Sequence, residues 1–113
     1  MCNPFLENMY RSLVLVRSDV QNSKNIEIMK MLISSLENEM SACEVKKQSM
    51  DFAKTALYMV QTKLEEGEYE LAYDLVDMLH AFPQVLMTKD EKQEAEYWEI
   101  YVRPVMEKWE ISW

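Results

Sequence analysis

A chain of 113 residues that is 49% apolar can form one domain around one modest core, and it is too apolar to be a disordered segment. One glycine and three prolines leave little material for the tight turns of an all-β fold, and 20 acids against 12 bases oppose docking on a phosphate backbone. The sequence opens without a basic segment leading into an apolar run, and no apolar run approaches the ~20 residues needed to span a bilayer, so a soluble cytoplasmic protein is expected.

Asn3-Pro4 predicts the start of a first helix, with a capping residue followed by a proline at the first helical position. Phe5, Leu6, Met9, Tyr10, Leu13 and Val14 follow at helical spacing as its inward stripe. After the polar run Gln21 to Asn25, Ser23 or Asn25 is the expected cap of a second helix that reaches about Val45. Its buried side is Ile26, Met29, Leu32, Ile33, Leu36 and Met40. Ser49 is the expected cap of the third, whose stripe is Phe52, Ala53, Ala56, Leu57, Val60 and Leu64.

Gly67 stops that helix, because glycine adopts the left-handed closing conformation without steric cost. A fourth helix begins almost at once, with Tyr69, Ala72, Tyr73, Val76 and Leu79 inward and Pro83 as its limit. Thr88-Lys89-Asp90-Glu91 has the spacing of a capping box for the fifth, which presents Ala95, Trp98, Tyr101 and Val102. Pro104 then acts as a kink or as the start of a short terminal helix, with Val105, Met106 and Trp109 continuing the stripe. No segment alternates with period two. The expectation is one domain over 1–113, all-α, with about five helices in a compact, mainly antiparallel bundle. The ten methionines suit gaps between such helices.

Charge is unevenly spread. Residues 1–50 carry six acids and six bases, whereas 51–113 carry fourteen and six, so the whole excess of eight lies in the second part. Within it, Glu70, Asp74 and Asp77 are four and three residues apart and share one helix face, with Glu66 just before them. That negative face predicts a protein partner with a basic surface, steered in by charge. Trp113, last of three tryptophans in the final twenty residues, is a further candidate for contact, since tryptophan is enriched at binding hot spots. Reversing Glu70, Asp74 and Asp77 to lysine is expected to slow capture while leaving the domain folded.

Chemistry is thinly represented. Asp77 and His80 have the carboxylate-x-x-His spacing used in di-iron bundles, but those sites need a second such pair and this chain has one histidine. Cys2 and Cys43 lack a short ligand spacing and read as reduced thiols. No catalytic, metal-binding or cofactor-binding residue and no cofactor is assigned. His80 is expected to meet the last carbonyls of its own helix.

Residues Asp51 to Pro83 resemble a single tetratricopeptide hairpin, with Gly67 at the turn, Tyr69 packing there, Ala72 allowing close approach and Pro83 near the terminal proline. Val60 and Lys63 depart from that pattern, and the absence of a second copy leaves a hairpin rather than an array. Asp74-x-x-Asp77 and Glu91-x-x-Glu94 are similar to the paired carboxylates of all-helical nucleotide pyrophosphatases, which hold magnesium. Asp77 to Pro83, together with Tyr97-Trp98-Glu99, Pro104 and Lys108-Trp109, resembles small acidic bacterial proteins of the toxin-immunity kind. That resemblance lies within residues 60–109 and implies a cytosolic, non-enzymatic protein that neutralises a toxin by binding it. The alternatives are a divalent-metal enzyme built on the clustered carboxylates and a self-associating, homo-oligomeric helical adaptor.

Overall fold

The computed structural model describes residues 3–39, 47–88 and 90–111. They form α1 (Asn3–Ser18), α2 (Lys24–Glu39), α3 (Lys47–Glu65), α4 (Tyr69–His80), α5 (Phe82–Thr88), α6 (Glu91–Tyr97), a π turn (Trp98–Val102) and α7 (Arg103–Trp109). The all-α bundle expected from periodicity is present. Four long helices come first; α6, the π turn and α7 follow one another without a break, and the short α5 joins the two parts. Helix α2 packs on α3, α3 on α4, and α1 on both α4 and α5.

The first three inward stripes are close to those the sequence predicts. Phe5, Leu6, Met9 and Leu13 of α1, Met29, Leu32, Ile33 and Leu36 of α2, and the six apolar positions of α3 are all buried. Val16 takes the place expected of Val14, which is exposed. The caps differ more. Asn22, rather than Ser23 or Asn25, accepts the Lys24 amide through its side chain (2.9 Å). Asn25 is instead buried, and its amide group donates to the Asp19 and Val20 carbonyls, tying the α1–α2 turn. Ser49 lies inside the first turn of α3 rather than capping it, and α2 is described only to Glu39.

The α3–α4 turn closes as the glycine requires. Gly67 has φ +76°, its N–H donates to the Leu64 carbonyl (3.2 Å), and the Glu68 N–H reaches back to Lys63 O (2.9 Å). These are the two bonds of a Schellman cap, which satisfies carbonyls the helix end would otherwise leave open. Pro83 does limit α4, but by opening α5, where its missing N–H costs nothing at the second residue. Thr88 is the last residue of α5, so the expected capping box gives way to Asp90, whose carboxylate accepts from Lys92 N (2.9 Å) and Gln93 N (3.4 Å).

Pro104 explains the π turn. A proline in a helix removes one backbone donor and crowds the carbonyl four residues earlier, here that of Ile100. The wider ring relieves that crowding: Arg103 N–H donates to Trp98 O, five residues back. The phase of the helix shifts with it. The two buried residues are Tyr97 and Val102, five apart, while Ala95 and Tyr101, expected inward, are exposed.

Aromatic rings converge where α3, α5 and the π turn meet. Phe82, fully buried, meets Phe52 edge-on at 5.1 Å and Tyr97 at 5.2 Å, and Trp98 lies 4.6 Å from Phe52. The buried Tyr97 hydroxyl donates to the Met78 carbonyl at 2.5 Å. Burial, with Tyr101 adding to it, pushes that phenol well above its ordinary value. An unfolded tyrosine loses its proton near pH ~10 while folded Tyr97 keeps it, so above that pH the folded state binds more protons and stability falls as pH rises. Tyr97 therefore contributes fully below pH ~10 and progressively less above it. Urea unfolding between about pH 9 and 11 is expected to show a steeper loss for the native chain than for Tyr97→Phe.

Candidate functional site

The outward side of α4 and the segments beside it gather a run of ion pairs. Glu66 and Glu68 both meet Lys63, at 3.0 and 3.2 Å, across the Schellman turn. One turn on, Glu70 lies 3.7 Å from Lys108 of α7. Asp74 receives two donors on one oxygen: Lys108 Nζ at 2.9 Å and the Trp109 indole N–H at 2.8 Å. Asp77 pairs with Arg17 of α1 at 2.8 Å. The four carboxylates nominated from sequence, Glu66, Glu70, Asp74 and Asp77, thus border one surface, and each already has a cation from its own chain.

Their roles separate by exposure. The Glu70 side chain is 78% exposed and Glu66 about half, whereas Asp74 is only 22% exposed. Exposed pairs are screened by solvent and contribute little, so Lys63 and Lys108 are weakly held competitors for the first two acids. Hydrogen bonding to Glu66 and then Glu68 raises the Lys63 pKa, and Asp74, then Glu70, does the same for Lys108. Lys63, Lys108 and Arg17 thus offset three of the five carboxylates in these pairs.

Aromatic side chains border the charges. Tyr69 and Tyr73 of α4 and Tyr101 of the π turn remain 37–39% exposed, as does Val14 of α1 at 39%. The two α4 tyrosines were expected to point inward. Their spacing with Asp77, at i, i+4 and i+8, places all three on one ridge, and an acid on that ridge was the available sign that it faces outward. Arg17 borders a hollow of about 280 Å³ with Val14, Ser18 and Tyr73. Its pKa is raised, chiefly by the Tyr73 hydroxyl, with Asp77 and Tyr101 acting against a loss of solvation. Its Nε is buried without a hydrogen-bond partner among the described residues. Arg17 was missed in the sequence because nothing in α1 shows which helix it meets.

His80 serves its own helix. A carbonyl can only accept, so the 2.6 Å contact from His80 Nδ1 to Asp77 O makes that nitrogen the donor. The imidazole then sits between Tyr10 (6.5 Å) and Tyr101 (6.4 Å). The Asp77 carboxylate is 3.9 Å from the same nitrogen and is turned toward Arg17. Among the described residues, no three histidine, cysteine or acidic side chains gather as a metal site would require. Cys2, Cys43 and Trp113 lie outside the described residues.

Together, fold and surface define an all-helical domain with a tyrosine-bordered acidic face, and no described helix is long and apolar enough to cross a membrane. Comparison with protein-family models, curated proteins and solved structures yields no match to this chain.

Proposed function

We propose that this chain is a non-enzymatic binding domain that captures a protein with a basic surface in the cytoplasm, in the manner of a toxin-neutralising immunity protein. The observation that carries this reading is the placement of half-exposed Tyr69, Tyr73 and Tyr101 beside the carboxylates of α4. Tyrosine supplies a large apolar face and a hydroxyl with few rotors to freeze, which suits the centre of an interface. The net charge of −8 guides a basic partner inward. Its lysines or arginines then displace Lys63 and Lys108 from Glu66 and Glu70, and the tyrosines are covered.

The test begins with a partner recovered by its co-purification with the tagged chain. Glu66→Lys combined with Glu70→Lys is expected to lower the association rate about tenfold at low salt, with the gap closing as salt rises. The dissociation rate changes less. Equal association rates for native and reversed chains at low salt would remove this face from the mechanism.

A further inference from the structure

A second candidate surface lies between α3 and the run formed by α6 and the π turn. The space between these helices is an open cleft of about 590 Å³, within the range of small-ligand sites. Phe52 and Trp98 form an aromatic wall, their rings 4.6 Å apart and tilted by 57°. Asp51 borders the cleft from α3 and Glu94 from α6, with Thr55 one turn beyond Asp51.

Two polar groups there have no side-chain hydrogen bond or ion pair with another described residue. Ser49 is only 5% exposed and lines the cleft, yet it makes no hydrogen bond with its side chain to any described residue. A hydroxyl so enclosed, reached only through the cleft, gains from a ligand atom that pairs with it. Asp51 is exposed and has no ion pair or hydrogen bond among the described residues, in contrast to the carboxylates bordering α4. Among the described residues that line it there is no lysine or arginine.

We infer that this cleft holds the guanidinium group of an arginine from the captured protein. The planar cation stacks on the partly exposed Trp98 ring, which Phe52 backs, donates to the Asp51 carboxylate and gives one N–H to the Ser49 hydroxyl. Guanidinium fits better than ammonium because it combines a flat face for the rings with a fork of donors for a carboxylate and a hydroxyl. The inference rests on the capture of a basic protein proposed above and adds a contact distinct from the α4 face.

The test uses the complete chain and short synthetic peptides, so that it does not depend on the partner. A neutral-capped Gly-Arg-Gly peptide is titrated while the Trp98 indole N–H is followed by NMR, beside the same peptide with lysine or citrulline. The arginine peptide is expected to give a saturable shift at Trp98 and none at Trp109. Lysine should bind several-fold more weakly and citrulline not measurably. Asp51→Asn should weaken arginine binding about tenfold, as loss of a charged hydrogen-bond acceptor implies, and Ser49→Ala a few-fold. Equal responses to arginine and citrulline, or an Asp51→Asn variant that binds like the native chain, would overturn the inference. The Glu66→Lys, Glu70→Lys chain keeps the cleft intact and should bind the peptide normally. Failure at the cleft is thereby separated from failure of the α4 face, which only protein capture reports.

Discussion

Replacing Phe82 with alanine is expected to lower the unfolding free energy by about 3–5 kcal/mol, the range for deleting a large buried ring. Domains of this size have about 5–15 kcal/mol in total, so the variant should sit close to unfolding at room temperature. The magnitude follows from position. Phe82 is fully buried at the start of α5 and touches Phe52 of α3 and Tyr97 at the end of α6. It therefore joins the first helices to the C-terminal run, and a void there cannot be filled by moving one neighbour. Leucine at 82 keeps most of the volume and should cost markedly less. Urea unfolding followed by far-UV circular dichroism measures both. An alanine variant with the native midpoint would show that the C-terminal run is held elsewhere.

Much of this arrangement was legible in the residues. The stripes of α2 and α3 obey the helical period because each keeps one outer face in solvent, so spacing alone places Met29, Leu36, Leu57 and Val60. The stop at Gly67 was equally plain, because the turn needs a positive φ and the chain has one glycine to supply it. The C-terminal run defeated the same reasoning. A π turn widens the hydrogen-bonded span from four residues to five for one cycle, which shifts the phase of the stripe, so Tyr97 moves inward and Tyr101 outward. Pro104 was read as a disturbance, yet a proline announces neither a kink nor a π turn by itself.

The candidate site was half legible for a different reason. Helical spacing puts Glu70, Asp74 and Asp77 on one face whatever surrounds them. What the spacing omits is the other half of each pair: Arg17 is 60 residues before Asp77, and Lys108 is 34 after Asp74. Those cations are brought in by tertiary packing of α1 and α7, which no local pattern encodes. The surface consequently carries far less free negative charge than a count of acids suggests.

That difference changes what a mutation at Asp74 means. Asp74→Ala is expected to cost about 1.5–3 kcal/mol, the range for a hydrogen bond to a charged group, because the half-buried Trp109 N–H loses its acceptor. The Lys108 contact adds little, since that lysine is exposed. Helix α7 has no fully buried residue and leans on partly buried Val105, Met106 and Trp109, so this bond is a large share of what holds it. Hydrogen exchange should accelerate across 103–111 while α1 to α3 keep their protection. Asp74→Asn retains an acceptor oxygen and should fall between alanine and the native chain, whereas Lys108→Ala should barely shift stability, since its pair is exposed and screened. If Asp74→Ala left exchange in α7 unchanged, Asp74 would be a free acid available to a partner. Otherwise lysine at 74 would release α7 and would set two cations against each other beside Lys108. The triple reversal of Glu70, Asp74 and Asp77 would then mix unfolding with lost attraction, and only Glu66 and Glu70 can report on steering alone.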